Sequence, residues 1–173
     1  MTRRTTVRTP DTAPGAGVAR RSQRVFDDQP GDPYQARGKY QEPAVCTDCG
    51  AVFRRGRWAH GEAPEGAHRD RCPACRRIRD KLPAGRLTLE GAFYAEHRDE
   101  LLRLVRHEAE SERSQHPINR IMAIEEQPDR AVVTTTDIHT PHRIGNALER
   151  SYQGELDMRY GEDEYSIRVT WRR

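Results

Sequence analysis

From residue 86 onward, apolar and polar positions alternate with a recognisable period. Arg86-Leu87-Thr88-Leu89 alternates and predicts a short strand. Phe93, His97, Leu101, Leu104 and Val105 then recur at steps of 4, 4, 3 and 1. That is the spacing of one helical face, so a helix is predicted from Ala92 to about Ser114. Its end, from His107 to Ser114, has almost no apolar residue and is expected to project into solvent or fray. Ile118 to Glu126 reads as a strand, Gln127-Pro128-Asp129-Arg130 as a turn, and Ala131 to Thr136 as a β-branched strand. Thr140 suits an N-cap with Pro141 at the first helical position. Ile144, Ala147, Leu148, Ser151 and Tyr152 have helical spacing, and Gly154 closes that helix. Leu156, Met158 and Tyr160 alternate, as do Tyr165, Ile167, Val169 and Trp171, with Gly161 to Glu164 linking the two strands. The order is a helix and then β-β-α-β-β, whose faces bury best as a helix on an antiparallel or mixed sheet.

The first half has a different pattern. Residues 1–40 scatter Pro, Gly, Arg and Asp without periodicity, which predicts a disordered, mildly basic tail. Such a tail either lies along nucleic-acid phosphates or does nothing specific. Residues 41–86 contain all four cysteines of the chain, as Cys46-Thr-Asp-Cys49 and Cys72-Pro-Ala-Cys75. Two C-x-x-C pairs separated by 22 residues are the ligand pattern of a structural zinc site. Gly50, directly after Cys49, allows the tight turn that lets two thiolates reach one ion. Ala51-Val52-Phe53 reads as a short strand and Gly61 to Gly66 as a hairpin tip. Arg76 to Leu82 reads as a helical turn or two, stopped by Pro83 and Gly85. A set of three Cys with His60 or His68 is an alternative, as is an iron–sulfur cluster. A thioredoxin-like redox pair is disfavoured, because there are two pairs and no flanking βαβ pattern. A closed four-thiolate site is structural, and it would hold together a segment whose own core is Val52, Phe53, Trp58 and Ile78.

These elements predict an α+β protein: an N-terminal zinc ribbon followed by a helix and a β-β-α-β-β sheet domain. The divisions are a tail over 1–40, the ribbon over 41–86, a connecting helix over 87–116 and the sheet domain over 117–173.

Charge adds a second layer. Charged residues make up 33% of the 173 residues, apolar residues 34%, and the mean hydropathy is −1.00, too little apolar material to order the whole chain. The net charge of +3 hides an asymmetry. Lys and Arg number 8 against 5 acids over 1–45, 10 against 5 over 46–86, and 12 against 17 over 87–173. A basic ribbon before an acidic domain suggests different partners for different faces. There is no export signal at the start and no run long enough to span a membrane, and the paired cysteines favour a reducing cytoplasm.

Within the ribbon, Arg54, Arg55, Arg57, Arg76, Arg77 and Arg79 cluster around Trp58, a composition suited to phosphate contacts with a base stacked on the ring. The plainer alternative is that Trp58 caps the ribbon core and the arginines are solvated. His97-Arg-Asp-Glu100 is more simply a partly buried His among surface charges. Asp137, His139 and His142 could meet at a strand-to-helix corner and hold a metal or serve a hydrolase, although a polar helix start explains them more simply. No phosphate-binding loop of the G-x-x-x-x-G-K-[ST] type and no G-x-S-x-G nucleophile motif is present.

Cys72-Pro-Ala-Cys-Arg-Arg-Ile-Arg-Asp80, Arg120-Ile-Met-Ala-Ile-Glu-Glu126 and Tyr152-Gln-Gly-Glu-Leu-Asp157 resemble an uncharacterised bacterial family of zinc-ribbon proteins over about residues 40–173. The layout is also similar to the large-ribosomal-subunit export adaptors of the nonsense-mediated-decay protein three type. There a β-β-α-β-β module follows cysteine-rich ribbons, and Glu164-Tyr-Ser-Ile-Arg-Val169 looks like that module's last strand. The resemblance implies one structural zinc ion on Cys46, Cys49, Cys72 and Cys75. It also implies a non-catalytic, ribosome-associated or otherwise RNA-binding protein. The alternatives are a protein-interaction or regulatory module with purely structural zinc, in which the acidic C-terminal domain docks a partner, and a hydrolase using Asp137, His139 and His142. No small-molecule substrate is indicated.

Overall fold

The computed structural model describes residues 31–36, 40–162 and 164–173. Most of the tail expected over 1–40 lies outside the described residues. The fold is mixed α/β, with two sheets and four helices among the described residues.

The smaller sheet surrounds the cysteines. Its strands are β1 (Ala44–Cys46), β2 (Val52–Arg54), β3 (Arg57–Ala59) and β4 (His68–Asp70), in the order β3-β2-β1-β4. β1 pairs with β2 antiparallel and with β4 parallel. The hairpin tip falls at Arg55-Gly56 rather than at Gly61 to Gly66. Arg54 faces Arg57 across β2 and β3, and the two residues between them have φ of 52° and 74°. A two-residue turn with both φ positive matches the twist of the paired strands. The Gly61–Gly66 stretch instead carries the chain across to β4 on the far side of β1. Helix α1 (Pro33–Ala36) precedes this sheet and α2 (Pro73–Asp80) follows it.

The larger sheet contains β5 (Gly85–Glu90), β6 (Ile121–Glu126), β7 (Arg130–Thr135), β8 (Glu155–Tyr160) and β9 (Ile167–Arg172), in the order β6-β7-β5-β9-β8. β5 is its central strand, antiparallel to β7 and parallel to β9. The unit expected to begin at 117 therefore begins at β5, and its order is β-α-β-β-α-β-β. Helices α3 (Ala92–Gln115) and α4 (His139–Tyr152) both pack on one face of the sheet. Leu87 and Leu89 of β5 and Val169 and Trp171 of β9 meet Leu101, Leu102 and Val105 of α3 and Ile144 and Leu148 of α4. Each such side chain contributes about 1.5–3 kcal/mol on burial, so α3 is half of the helical layer rather than a connector.

The buried stripe of α3 differs from the predicted one. Tyr94, Leu101, Leu102, Val105 and Ala109 face the core. The backbone kinks at His97 (φ −118°, ψ 21°), which rotates the first turn, and Phe93 and His97 stack at 4.0 Å. The end of α3 stays helical to Gln115. Arg143 of α4 bonds Glu108 Oε2 at 2.8 Å and Ser111 Oγ at 2.8 Å, and approaches Glu112 Oε2 at 3.3 Å.

Several contacts join the two sheet units. Ile118 packs against the cysteine cluster. A ring nitrogen of His60 lies 2.8 Å from the Arg113 carbonyl oxygen at the end of α3. The Arg77 guanidinium lies between Tyr34 at 4.4 Å and Tyr165 at 5.7 Å.

Candidate metal centre and basic surfaces

The four cysteines converge. Each offers one sulfur, and all four sulfurs lie within 4.8 Å of one another. None is in a disulfide; Cys46, Cys72 and Cys75 are buried and Cys49 is exposed. This arrangement is consistent with a metal site.

Each C-x-x-C knuckle is positioned by local backbone. Cys46 ends β1, and its N–H donates to the Ala51 carbonyl at 2.7 Å. Gly50 takes a φ of 75° and returns its N–H to the Cys46 carbonyl at 3.0 Å, closing the first knuckle. Cys72 is the N-cap of α2 and Pro73 follows at the start of the helix. A cap residue normally offers a side-chain acceptor, and here the acceptor is sulfur: Cys75 N donates to Cys72 Sγ at 3.4 Å. Cys72 N donates to Cys46 Sγ at 3.3 Å, which links the two knuckles.

The electrostatics follow from the crowding. Cys46 is held well below the ordinary thiol value because it accepts from Cys49 and Cys72. Cys72 is pushed well above it by its bonds to Cys46 and Cys49 and by burial. Burial pushes Cys75 up to about 11, with Arg120 pulling the other way. Without a cation, thiols this close share protons rather than ionise together; a bound cation replaces those protons.

Arg120 had no signal in the local sequence. Its Nη2 donates to Cys75 Sγ at 3.1 Å across 45 residues of chain. Its backbone belongs to the other unit, with Arg120 N donating to Thr136 Oγ1 at 2.9 Å and Thr136 N to Arg120 O at 2.9 Å. One arginine therefore ties the larger sheet to the cysteine cluster. No histidine joins the cluster among the described residues: His60 meets the Arg113 carbonyl, and His68 is exposed on β4.

The arginines proposed for nucleic acid divide into two groups. Trp58 is 8% exposed and packs at 5.0 Å from Tyr40 and 5.3 Å from Phe53. It forms part of the small unit's core and is not an open stacking surface. Arg76 pairs with Asp70 at 2.8 Å and Arg79 with Asp80 at 3.0 Å. Arg77 pairs with Asp32 at 2.6 Å, with side chains only 5% and 7% exposed. Its partner lies in the stretch read from sequence as tail. Arg54, Arg55 and Arg57 remain exposed at the β2–β3 tip, and none forms an ion pair among the described residues. Arg55 itself takes the left-handed conformation that glycine or asparagine would adopt more easily. The Glu42 carboxylate holds it there, accepting from Arg55 N at 2.7 Å and Gly56 N at 2.9 Å.

Asp137, His139 and His142 do not form one constellation. Asp137 is buried and accepts from His139 N at 2.9 Å, Thr140 N at 2.7 Å and Thr140 Oγ1 at 2.9 Å. It, rather than Thr140, satisfies the first N–H groups of α4. Burial raises its pKa to about 6 despite these bonds. His139 and His142 instead line a cleft of about 770 Å³ between the two units, together with Tyr40, Trp58, His116 and Asn119. Burial holds both imidazoles below the ordinary histidine value. Among the described residues, no helix is long and apolar enough to cross a membrane.

No family model matches the chain, and no curated protein or solved structure matches it either.

Proposed function

We propose that the chain is a non-catalytic RNA-binding protein in which one zinc ion on Cys46, Cys49, Cys72 and Cys75 fixes an arginine hairpin for phosphate contact. The zinc assignment is supported by size. Zn–S bonds of about 2.3 Å in a tetrahedron place the sulfurs about 3.8 Å apart, and Cys49 Sγ and Cys72 Sγ are separated by 3.7 Å. Four thiolates leave no open coordination position, so the ion's role is to stabilise the fold. Four free thiols also suit a reducing compartment such as the cytoplasm.

The observation that supports RNA most is the hairpin tip. Arg54, Arg55 and Arg57 lie at a two-residue turn, their guanidinium groups form no ion pair among the described residues, and Arg55 occupies a strained backbone position. Strain retained at an exposed tip favours a functional reason for the residue there. Guanidinium forks match phosphate oxygens in bidentate fashion. Buried Trp58 and the paired Arg76, Arg77 and Arg79 narrow the interface to this tip.

The same buried Trp58 and internal ion pairs favour a second reading, a protein-interaction module with purely structural zinc. Fluorescence anisotropy with a labelled single-stranded RNA across a salt series separates the two. Affinity should fall steeply with salt, and the Arg54→Ser/Arg55→Gly/Arg57→Ser variant should lower the log–log slope by about 2, three contacts at about 0.7 each. No binding at the lowest salt would sink the RNA reading. An unchanged slope in the variant would sink the hairpin's part in it.

A further inference from the structure

Both helices cover one face of the larger sheet, which leaves its other face open. Side chains alternate along a strand, so the open face is formed by the residues between the buried ones. On β5 these are Arg86, Thr88 and Glu90; on β9, Arg168, Thr170 and Arg172.

The register places three arginines in one row. Arg86 of β5 is directly opposite Arg168 of β9, and Arg168 is directly opposite Arg159 of β8. All three are exposed. Neighbouring strands are about 4.8 Å apart, so the row crosses about 10 Å of sheet. Like charges at directly opposed positions destabilise a sheet. On this face Arg172 bonds Glu90, and Arg159 of the row reaches Asp157 at 2.8 Å. Arg86 and Arg168 form no ion pair among the described residues. The repulsion between Arg86 and Arg168 is thus not offset by an ion pair at the end of the sheet where β5 enters from the cysteine unit, and the acidic residues Glu90 and Glu155 lie at the other end.

We propose that the Arg86–Arg168–Arg159 row is a docking strip for the phosphodiester backbone of RNA. Resting on the RNA reading above, it adds a second contact, on the other unit from the hairpin. Thr134, level with Arg86 on β7, and Thr88 and Thr170 in the next row supply hydroxyl donors beside the guanidinium groups. The open positions of β5, β7, β8 and β9 include no aromatic side chain, so the strip offers no stacking platform. It contacts phosphates and reads no bases.

The test uses the full zinc-loaded chain, labelled single-stranded RNA and the variant Arg86→Thr/Arg168→Thr, with the hairpin variant run in parallel. Threonine keeps the β preference of both positions. The double variant should lower the salt slope by about 1.4, two contacts at about 0.7 each. Its melting temperature should equal or exceed that of the parent, because removing the opposed charges relieves repulsion. If RNA binding persists with an unchanged slope in this double variant, the strip is overturned and the hairpin reading stands. A slope that falls here while the hairpin variant leaves it unchanged supports the strip and removes the hairpin. A chain that binds poly-glutamate through Arg86 and Arg168 but not RNA overturns the RNA assignment for both surfaces.

Discussion

Arg120 offers the sharpest perturbation of the proposed zinc site, because it touches the cysteine cluster without belonging to it. Its guanidinium donates to Cys75 Sγ at 3.1 Å, and its main chain is fixed to Thr136. A divalent ion in four thiolates carries a residual charge of about −2, which a neighbouring guanidinium partly offsets. Replacing Arg120 by Met keeps much of the side-chain volume and removes the donor. A hydrogen bond to a charged group contributes about 1.5–3 kcal/mol. Separately, loss of an outer-shell partner lowers metal affinity by about 10–100-fold, which at about 1.4 kcal/mol per tenfold converts to about 1.4–2.8 kcal/mol. The two routes agree. Competition against a chromogenic chelator should therefore show zinc affinity reduced about 10–100-fold in Arg120→Met, and less in Arg120→Lys, which keeps one donor without the planar fork. Hydrogen exchange should speed up at Ile118 to Arg120 in Arg120→Met, since the same bond holds the two units together. An Arg120→Met protein with parental zinc affinity would refute the coupling.

Three further outcomes follow from the contacts. Arg77→Met leaves the Asp32 carboxylate buried and unpaired, a loss of about 3–5 kcal/mol in urea unfolding that Asp32→Leu in the same chain should largely restore; a loss below about 1 kcal/mol would put the pair in the exposed class. Trp58→Phe should leave RNA affinity unchanged, whereas Trp58→Ala should cost about 3–5 kcal/mol of stability through the cavity it creates; RNA affinity lost in the Phe variant would restore a stacking role. Asp137, raised to about 6 by burial, binds its proton more tightly folded than unfolded. Its contribution to stability is therefore full below about pH 4 and lost as pH rises through about 6. Asp137→Asn should remove that fall while keeping an acceptor for the α4 N–H groups, and an identical pH slope in both proteins between 4 and 6 would contradict the assignment.

What could be read in the sequence was local. The cysteine spacing identified Cys46, Cys49, Cys72 and Cys75 because a C-x-x-C knuckle is fixed by neighbouring backbone. Strands β6 to β9 and helix α4 were legible because each buries one face with its own period. β5 looked minor because its partners are distant in the chain: Leu87 is opposite Val133 and Val169. The sequence places the hairpin tip among Gly, Glu and Pro at 61–66, yet the turn forms at Arg55-Gly56, where Glu42 binds two N–H groups. In the sequence Arg77 belongs with the arginines suited to phosphate contact, because its partner Asp32 lies 45 residues earlier, in a stretch without periodicity. Nothing in the local sequence marks Arg120 as the residue that reaches the cysteines, since only the fold brings it there.

The central claim is that the cysteine cluster acts by shaping the arginine hairpin for RNA. The most direct measurement is single-stranded RNA affinity of the full chain at low salt, first zinc-loaded, then after chelation under reducing conditions, then with zinc restored. Binding is expected, with loss of the hairpin-dependent part of the salt slope on chelation and recovery with zinc. Equal affinity and equal slope with and without the metal would contradict it.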